Sequence, residues 1–243
     1  MDYVLIVGAK SDIGLAVARR YASQGFGLHL AARDRQSLEP ATRMLRDEFG
    51  VDVQTVEFDA LAFDQFNDFY HQLEPKPIGV VATVGYLGDQ SLAEQNSSEA
   101  QRIVGTNFTG LALLLEIVAA DLVQRGTGFI VGVSSVSGER GRRSNYFYGS
   151  AKAAFTTFLS GLRNRLCKSG VQVLTVQLGF VRSKMTAGMN LPTVLILTAD
   201  EAAKRIVGAQ QRGKDVIYLS AIWWWIMLVV RSLPESIFKR LDW

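Results

Sequence analysis

Short, wholly apolar segments recur along this chain, and each is followed by a longer stretch of helical periodicity. Residues 3–8, 27–32, 53–58, 78–84, 128–133, 171–178 and 216–219 read as strands. Residues 13–24, 36–49, 63–73, 98–124, 148–168 and 199–212 read as helices. Val4-Leu5-Ile6-Val7 and Val171-Gln172-Val173-Leu174-Thr175-Val176 do not alternate apolar with polar side chains as a half-exposed strand would. Such strands suit a parallel sheet covered by helices on both faces. The regular alternation predicts an α/β, doubly wound fold with about seven parallel strands. No repeat, linker or low-complexity segment interrupts the pattern, so residues 1–243 are expected to form a single domain, with 217–243 as an apolar, aromatic, helical tail.

Composition narrows the function classes. Hydrophobic residues make up 48% of 243, enough for a substantial core and too many for a disordered chain. The net charge is +3 and the basic residues are scattered, so no nucleic-acid partner is expected. Cys167 is the single cysteine and cannot close an internal disulfide, which favours a reducing compartment. Met1-Asp2 runs straight into an apolar strand without a basic leader, so a cytoplasmic location is expected. No metal is expected. The apolar run 217–230, with Trp223, Trp224 and Trp225, is fourteen residues long. That is shorter than the ~20 residues a membrane-spanning helix needs, so an interfacial or buried segment is expected.

After the first strand comes Gly8-Ala9-Lys10-Ser11-Asp12-Ile13-Gly14, which opens the first helix. Glycines there permit a tight turn and close approach of backbone to a pyrophosphate, which the helix N-terminus then holds. An ordinary strand-to-helix loop is the plainer alternative. The second strand ends Ala31-Ala32-Arg33. A carboxylate at this point binds the ribose 2′-hydroxyl of NAD, whereas Arg33 suits a 2′-phosphate, with Lys10 adding charge. NADP(H) is therefore expected over NAD(H), against the alternative that Arg33 is a solvated surface charge.

Tyr148-Gly149-Ser150-Ala151-Lys152 places a phenol and an ammonium four residues apart, on one helix face. Lys152 is expected to lower the pKa of Tyr148 towards the working pH, so that Tyr148 donates a proton to a carbonyl oxygen as hydride arrives. Ser135 follows the fifth strand, at the carboxyl edge where sites of α/β sheets form, and its hydroxyl is suited to the same oxygen. Taken alone, the helix pair is equally a surface pair, and Ser134-Ser135 equally turn chemistry.

The glycine turn, Ser135, Tyr148, Lys152 and Asn107 in Gly105-Thr106-Asn107 occur together and in order. In this the chain resembles the short-chain dehydrogenase/reductase family over essentially its whole length. The resemblance implies a Rossmann-type fold and NAD(P)-dependent oxidoreductase activity. It implies that Asn107 holds a water of the proton relay and that Lys152 also binds the nicotinamide ribose. It assigns Asp59, with Ala60 beside it, to the adenine, and Gly179, Val181 and Ser183 to the nicotinamide. Three positions depart from the family pattern: Asp12 replaces the middle glycine, Ala82-Thr83-Val84-Gly85 replaces Asn-Asn-Ala-Gly, and Leu178-Gly179 replaces Pro-Gly. Thr83 and Gly85 are carried over as cofactor contacts. A homodimer or tetramer built on the helices of Asn107 and Tyr148 is also implied.

Gly138–Ser150, Gly85-Tyr86-Leu87-Gly88-Asp89 and the ending 233–241 further resemble the branch of keto-reductases that act in mycobacterial decaprenylphosphoryl-arabinose synthesis. Such a substrate, a 2-keto sugar on a polyprenyl phosphate, calls for cations near the acid, and Arg140, Arg142 and Arg143 are the candidates. It calls too for an apolar path or a membrane contact. The tail, with Arg231, Lys239 and Arg240, suits either, at the inner face of a membrane. A partner oxidase supplying the ketone is implied. Three consecutive tryptophans span about 200° of a helix, so burial on one face cannot cover them all. The alternatives are a carbonyl or hydroxysteroid-type reductase acting on a soluble hydrophobic ketone, and an NADP-binding regulator without chemistry. The intact Ser135, Tyr148 and Lys152 argue against the latter.

Overall fold

A computed structural model describes every residue except 187, 189–191, 193, 194, 242 and 243. The central strand, β1 (Tyr3–Val7), is buried at all five positions. Its side chains divide between two cores. Val4 and Ile6 face one, and Leu5 and Val7 the other, as the two-residue repeat of a strand requires. Each such burial contributes about 1.5–3 kcal/mol.

Around β1 stand β2 (Gly27–Ala32), β3 (Val53–Glu57), β4 (Pro77–Ala82), β5 (Gly128–Ser135), β6 (Val171–Leu178) and β9 (Val216–Tyr218), while β7 (Phe180–Val181) and β8 (Ile196–Leu197) pair separately. The seven-stranded sheet runs β3-β2-β1-β4-β5-β6-β9 and is parallel throughout. Helices α1 (Asp12–Ala22), α2 (Glu39–Phe49) and α8 (Ala199–Gln211) cover one face through Val17, Tyr21, Leu45 and Ile206. The other face lies under α3 (Phe66–His71), α6 (Gly110–Arg125) and α7 (Tyr146–Leu166), through Phe66, Leu114, Leu115, Phe155 and Leu159. The expected doubly wound α/β fold is the one observed. Strand order reverses between β1 and β4, which opens a crevice at the carboxyl ends of the strands.

The helix expected over 98–124 is not uniform. After the short α4 (Gln90–Ala93), α5 (Ser97–Val104) leads into a π-helical turn, Gly105–Thr109, before α6. Over 97–125 the stretch is long and apolar enough to cross a membrane, but half of its apolar window is buried within the protein. Ala60 explains part of its path: a Cβ on Gly110 would lie 1.8 Å from the Ala60 carbonyl oxygen, so only glycine lets α6 approach so closely.

The tail forms α9 (Ala221–Ser232) and α10 (Glu235–Phe238). Trp223, Met227, Val230 and Phe238 are buried with Val136, and Phe180 and Tyr218 pack against them. Trp224 and Trp225 are 40% and 62% exposed, as their angular spread on the helix demands.

Candidate active site

Gly8 takes φ +89°, and a Cβ there would lie 2.9 Å from the Val84 backbone nitrogen. A Cβ on Gly14 would lie 2.5 Å from the Gly8 oxygen. The two glycines therefore allow the turn to fold tightly against the end of β4. Thr83, in the position of the family's asparagine, ties the two together: its hydroxyl donates to Val7 O at 3.0 Å and its backbone N–H to the same oxygen at 2.8 Å. Ser11 caps α1, accepting from Gly14 N at 2.9 Å. Among the described residues, the N–H groups of Asp12 and Ile13 in the first helical turn make no hydrogen bond. They form a cradle for an anionic group, and the residues fit a dinucleotide pyrophosphate.

Asp12 does not cap the helix, which Ser11 does. Its carboxylate accepts from the backbone N–H of Lys184 at 2.8 Å, joining the glycine turn to the segment after β7. That segment is further bound by Thr186, whose hydroxyl donates to Val181 O at 2.7 Å and accepts from Ser183 N at 3.1 Å. Asp12→Ala is expected to loosen residues 183–186 and raise the KM for cofactor about tenfold, read by steady-state kinetics and faster amide exchange of that segment.

Arg33 is exposed at the end of β2. Lys10 also lies there but pairs with Asp34 at 3.7 Å, a carboxylate the sequence reading did not weigh. Arg33, which makes no ion pair among the described residues, is the stronger candidate for a 2′-phosphate. Asp59 is exposed, accepting from Leu61 N at 3.0 Å, and Ala60 beside it is buried under α6.

Ser135 ends β5, and the turn after it packs directly on α7. A Cβ on Gly138 would lie 2.6 Å from Ala153 N, and one on Gly149 would lie 2.8 Å from Ser137 O. This contact brings Ser135 beside Tyr148. Ser134 strengthens it by donating to Lys152 O at 3.0 Å. The Ser135 hydroxyl accepts from Ser137 N at 3.1 Å and donates to Leu178 O at 3.3 Å. Tyr148 is buried, and burial pushes its phenol up to about 12, with hydrogen bonding by Ser135 acting against the rise. Lys152 is buried too, and burial pulls its ammonium down to about 7. Its Nζ donates to Val133 O at 3.1 Å and Val84 O at 3.3 Å and stands 5.9 Å from the Tyr148 ring centroid. The expected lowering of the Tyr148 pKa by Lys152 is therefore not seen. Burial sets the phenol, and the ammonium is turned towards backbone carbonyls. At neutral pH Tyr148 is a protonated phenol, the form that acts as an acid.

Asn107 is wholly buried in the π-helical turn. Its amide N–H groups donate to Tyr86 O at 2.6 Å and Ile103 O at 2.8 Å, and its oxygen accepts from Tyr86 N at 3.1 Å. Both donors are in use, so a relay water has only a lone pair of the side-chain oxygen to bind. Asn107 pins the segment after β4, where a Cβ on Gly85 would lie 3.3 Å from Met185 Cε and 3.7 Å from the Asn107 oxygen.

The arginines after β5 are engaged by the tail. Arg140 pairs with Glu235 at 2.7 Å and lies over the Phe238 ring at 4.2 Å, so its charge serves this contact rather than facing open solvent. Arg142 donates to Met227 Sδ at 3.7 Å. Glu139 pairs with Arg231, also in the tail, at 3.4 Å. Between loop and tail lies a cleft of about 200 Å³ lined by Arg142, Arg143, Lys239 and Arg240. Gly179 meets the tail as well: a Cβ there would fall 1.9 Å from Trp223 Nε1. Gly179→Ala should displace Trp223 and cost about 1–3 kcal/mol in thermal unfolding. Val181 is buried and Ser183 half-buried beyond it.

The short chain dehydrogenase family matches residues 2–192. An uncharacterized oxidoreductase of Mycobacterium tuberculosis is 37% identical over 241 residues, covering 98% of this chain and 96% of that protein. One from Streptomyces coelicolor is 35% identical, covering 98% and 95%. A solved short-chain dehydrogenase from Sphingobium yanoikuyae in complex with NADPH is similar with a TM-score of 0.83 and 26% identity, over 97% of this chain and 98% of that one. The chain belongs to the short-chain dehydrogenase/reductase family and is an NAD(P)-dependent oxidoreductase.

Proposed function

We propose that the protein is an NADPH-dependent ketone reductase acting on a keto sugar carried by a polyprenyl phosphate. The observation that carries the reaction is the buried set of Ser135, Tyr148 and Lys152 at the carboxyl edge of the sheet, beside an unsatisfied helix N-terminus. Asp12 and Ile13 N–H groups hold the pyrophosphate, with Gly8, Ser11 and Gly14 shaping the turn. Arg33 takes the 2′-phosphate, Asp59 the adenine, and Gly179, Val181 and Ser183 flank the nicotinamide, which when bound supplies the hydride. The NADPH complex of the Sphingobium relative supports that cofactor choice. Tyr148 gives its phenolic proton to the carbonyl oxygen, and the Ser135 hydroxyl donates a hydrogen bond to the same oxygen. The Lys152 ammonium favours the phenolate left behind. Asn107 acts as a positioning residue.

Arg33→Ala is expected to raise the KM for NADPH about ten- to a hundredfold and leave that for NADH unchanged. Equal effects on both cofactors would overturn the 2′-phosphate assignment.

Support for an anionic substrate comes from the loop after β5. Arg142, Arg143, Lys239 and Arg240 outnumber the one acid, Glu235, in the cleft between loop and tail, which suits a phosphate. The deciding experiment is NADPH oxidation with a polyprenylphosphoryl 2-keto pentose set against a panel of soluble ketones. Preference for the lipid-linked sugar, weakened in Arg143→Gln, supports the reading. Robust turnover of simple hydrophobic ketones would replace it with a general carbonyl reductase. We assign the implied homodimer contact to the helices of Asn107 and Tyr148, where Leu61, Phe63, Val104, Thr109 and Phe147 line a groove of about 730 Å³ beside α5, the π-helical turn and the start of α7.

A further inference from the structure

The two faces of α9 differ sharply. Trp223, Met227 and Val230 enter the core, while Ile222, Trp225 and Val229 follow one another at helical spacing and are 39%, 62% and 63% exposed. Trp224 and Leu228 extend this outer face, and residues 221–230 contain no charged side chain. Past Pro234, Ile237 and Leu241 are exposed too, with Lys239 and Arg240 exposed between them. Single apolar residues on a surface need no explanation, but a contiguous outer helix face of this kind marks a binding surface.

Charge decides what binds there. In the tail Arg231 pairs with Glu139 and Glu235 with Arg140, which leaves Lys239 and Arg240 as the exposed cations beside the outer face, against the single further acid of the tail sequence, Asp242. A second copy of the same tail would bring cations against cations, whereas an anionic lipid surface is complementary. Helix length agrees. Twelve residues measure about 18 Å, too short to cross a bilayer core of about 30 Å, and the inner face is held by the protein. Such a helix can lie only in the plane of the interface, where tryptophan is favoured.

We propose that the outer face of α9 docks the protein in-plane on an anionic bilayer. Trp224, Trp225, Leu228 and Val229 sit at the boundary of headgroups and acyl chains, and Lys239 and Arg240 contact lipid phosphates. Trp223 packs on Gly179 while Trp224 and Trp225 face outward, so one helix serves both the edge of the site and the bilayer. The docking is separable from the substrate reading, because vesicle binding needs neither cofactor nor turnover.

The test is co-sedimentation of the full chain with vesicles of phosphatidylcholine alone and of an equimolar mixture with phosphatidylglycerol. Binding is expected to the mixture, falling in high salt, with a blue shift of tryptophan emission. Trp225→Ser with Val229→Ser should weaken it at least tenfold. Lys239→Gln and Arg240→Gln should weaken it about fivefold each, with unfolding temperatures unchanged as the control on folding. No sedimentation with either vesicle at low salt overturns the proposal, and equal binding to both overturns the anionic assignment. If the Trp225/Val229 variant instead breaks a larger assembly in light scattering while vesicle binding is unaltered, the face belongs to a second copy and the proposal fails.

Discussion

Tyr148→Phe is expected to lower kcat/KM for ketone reduction by about 10³-fold while leaving NADPH affinity unchanged. The ring is buried beside Ser135 in a cluster with Ala93 and Ile103, and phenylalanine fills the same volume, so the loss isolates the proton. Fluorescence titration of NADPH and single-turnover rates measure the two quantities separately. A variant retaining more than about a tenth of the activity would show that the carbonyl oxygen takes its proton elsewhere, and the acid assignment would be lost.

Lys152→Met is expected to abolish turnover and to make the protein more stable. An ammonium buried among carbonyls is held at a cost, which is why its pKa falls to about 7. The sign follows from proton binding. Between about 7 and the unfolded value of 10.5 the unfolded chain binds a proton that the folded chain does not, so wild-type stability rises with pH across that window. The advantage of the methionine variant is therefore largest at pH 7 and below and shrinks towards alkaline pH. Leaving Val84 O and Val133 O without the Nζ donor offsets part of the gain, so about 1–2 kcal/mol, or about 2–8 °C in Tm, is expected near neutrality. Thermal melts at several pH values check this, and a variant less stable than wild type at pH 6 would contradict it. By the same titration, wild-type kcat/KM for reduction should fall as pH rises through about 7, when the ammonium that favours the phenolate is lost.

The seven strands were legible because a parallel sheet buried on both faces writes itself as unbroken apolar runs. Tyr148 and Lys152 were legible because their spacing sets them on one helix face, and Ser135 because it ends a strand at the carboxyl edge of the sheet. The π-helical turn was not. Gly105-Thr106-Asn107 keeps ordinary helical periodicity, and the widening shows only in which carbonyl each N–H reaches. Helix α7 begins at Tyr146, two residues before the expected start, because nothing in Tyr146-Phe147 distinguishes helix from loop. The ties of Asp12 to Lys184 and of Arg140 to Glu235 join residues 172 and 95 positions apart, and no local pattern announces such pairs. Burial likewise set the ionisation of Tyr148 and Lys152 against the simple expectation of a cation lowering a phenol. Sequence spacing conveys distance along one helix but not the depth at which the pair lies.

The π-helical turn at Gly105–Thr109 also acts as a phase change along one rod. A π turn holds one more residue than the α turn it replaces, so the faces of α5 and α6 stand about 100° out of step with a continuous α-helix. That rotation lets Asn107 point inward to Tyr86 while α6 still turns Leu111, Leu114, Leu115 and Val118 onto the sheet. Removing one residue from this turn would restore a regular helix at the expense of that alignment, and no single substitution elsewhere could re-index it. This stretch should therefore accept changes of side chain at exposed positions far more readily than any change of length.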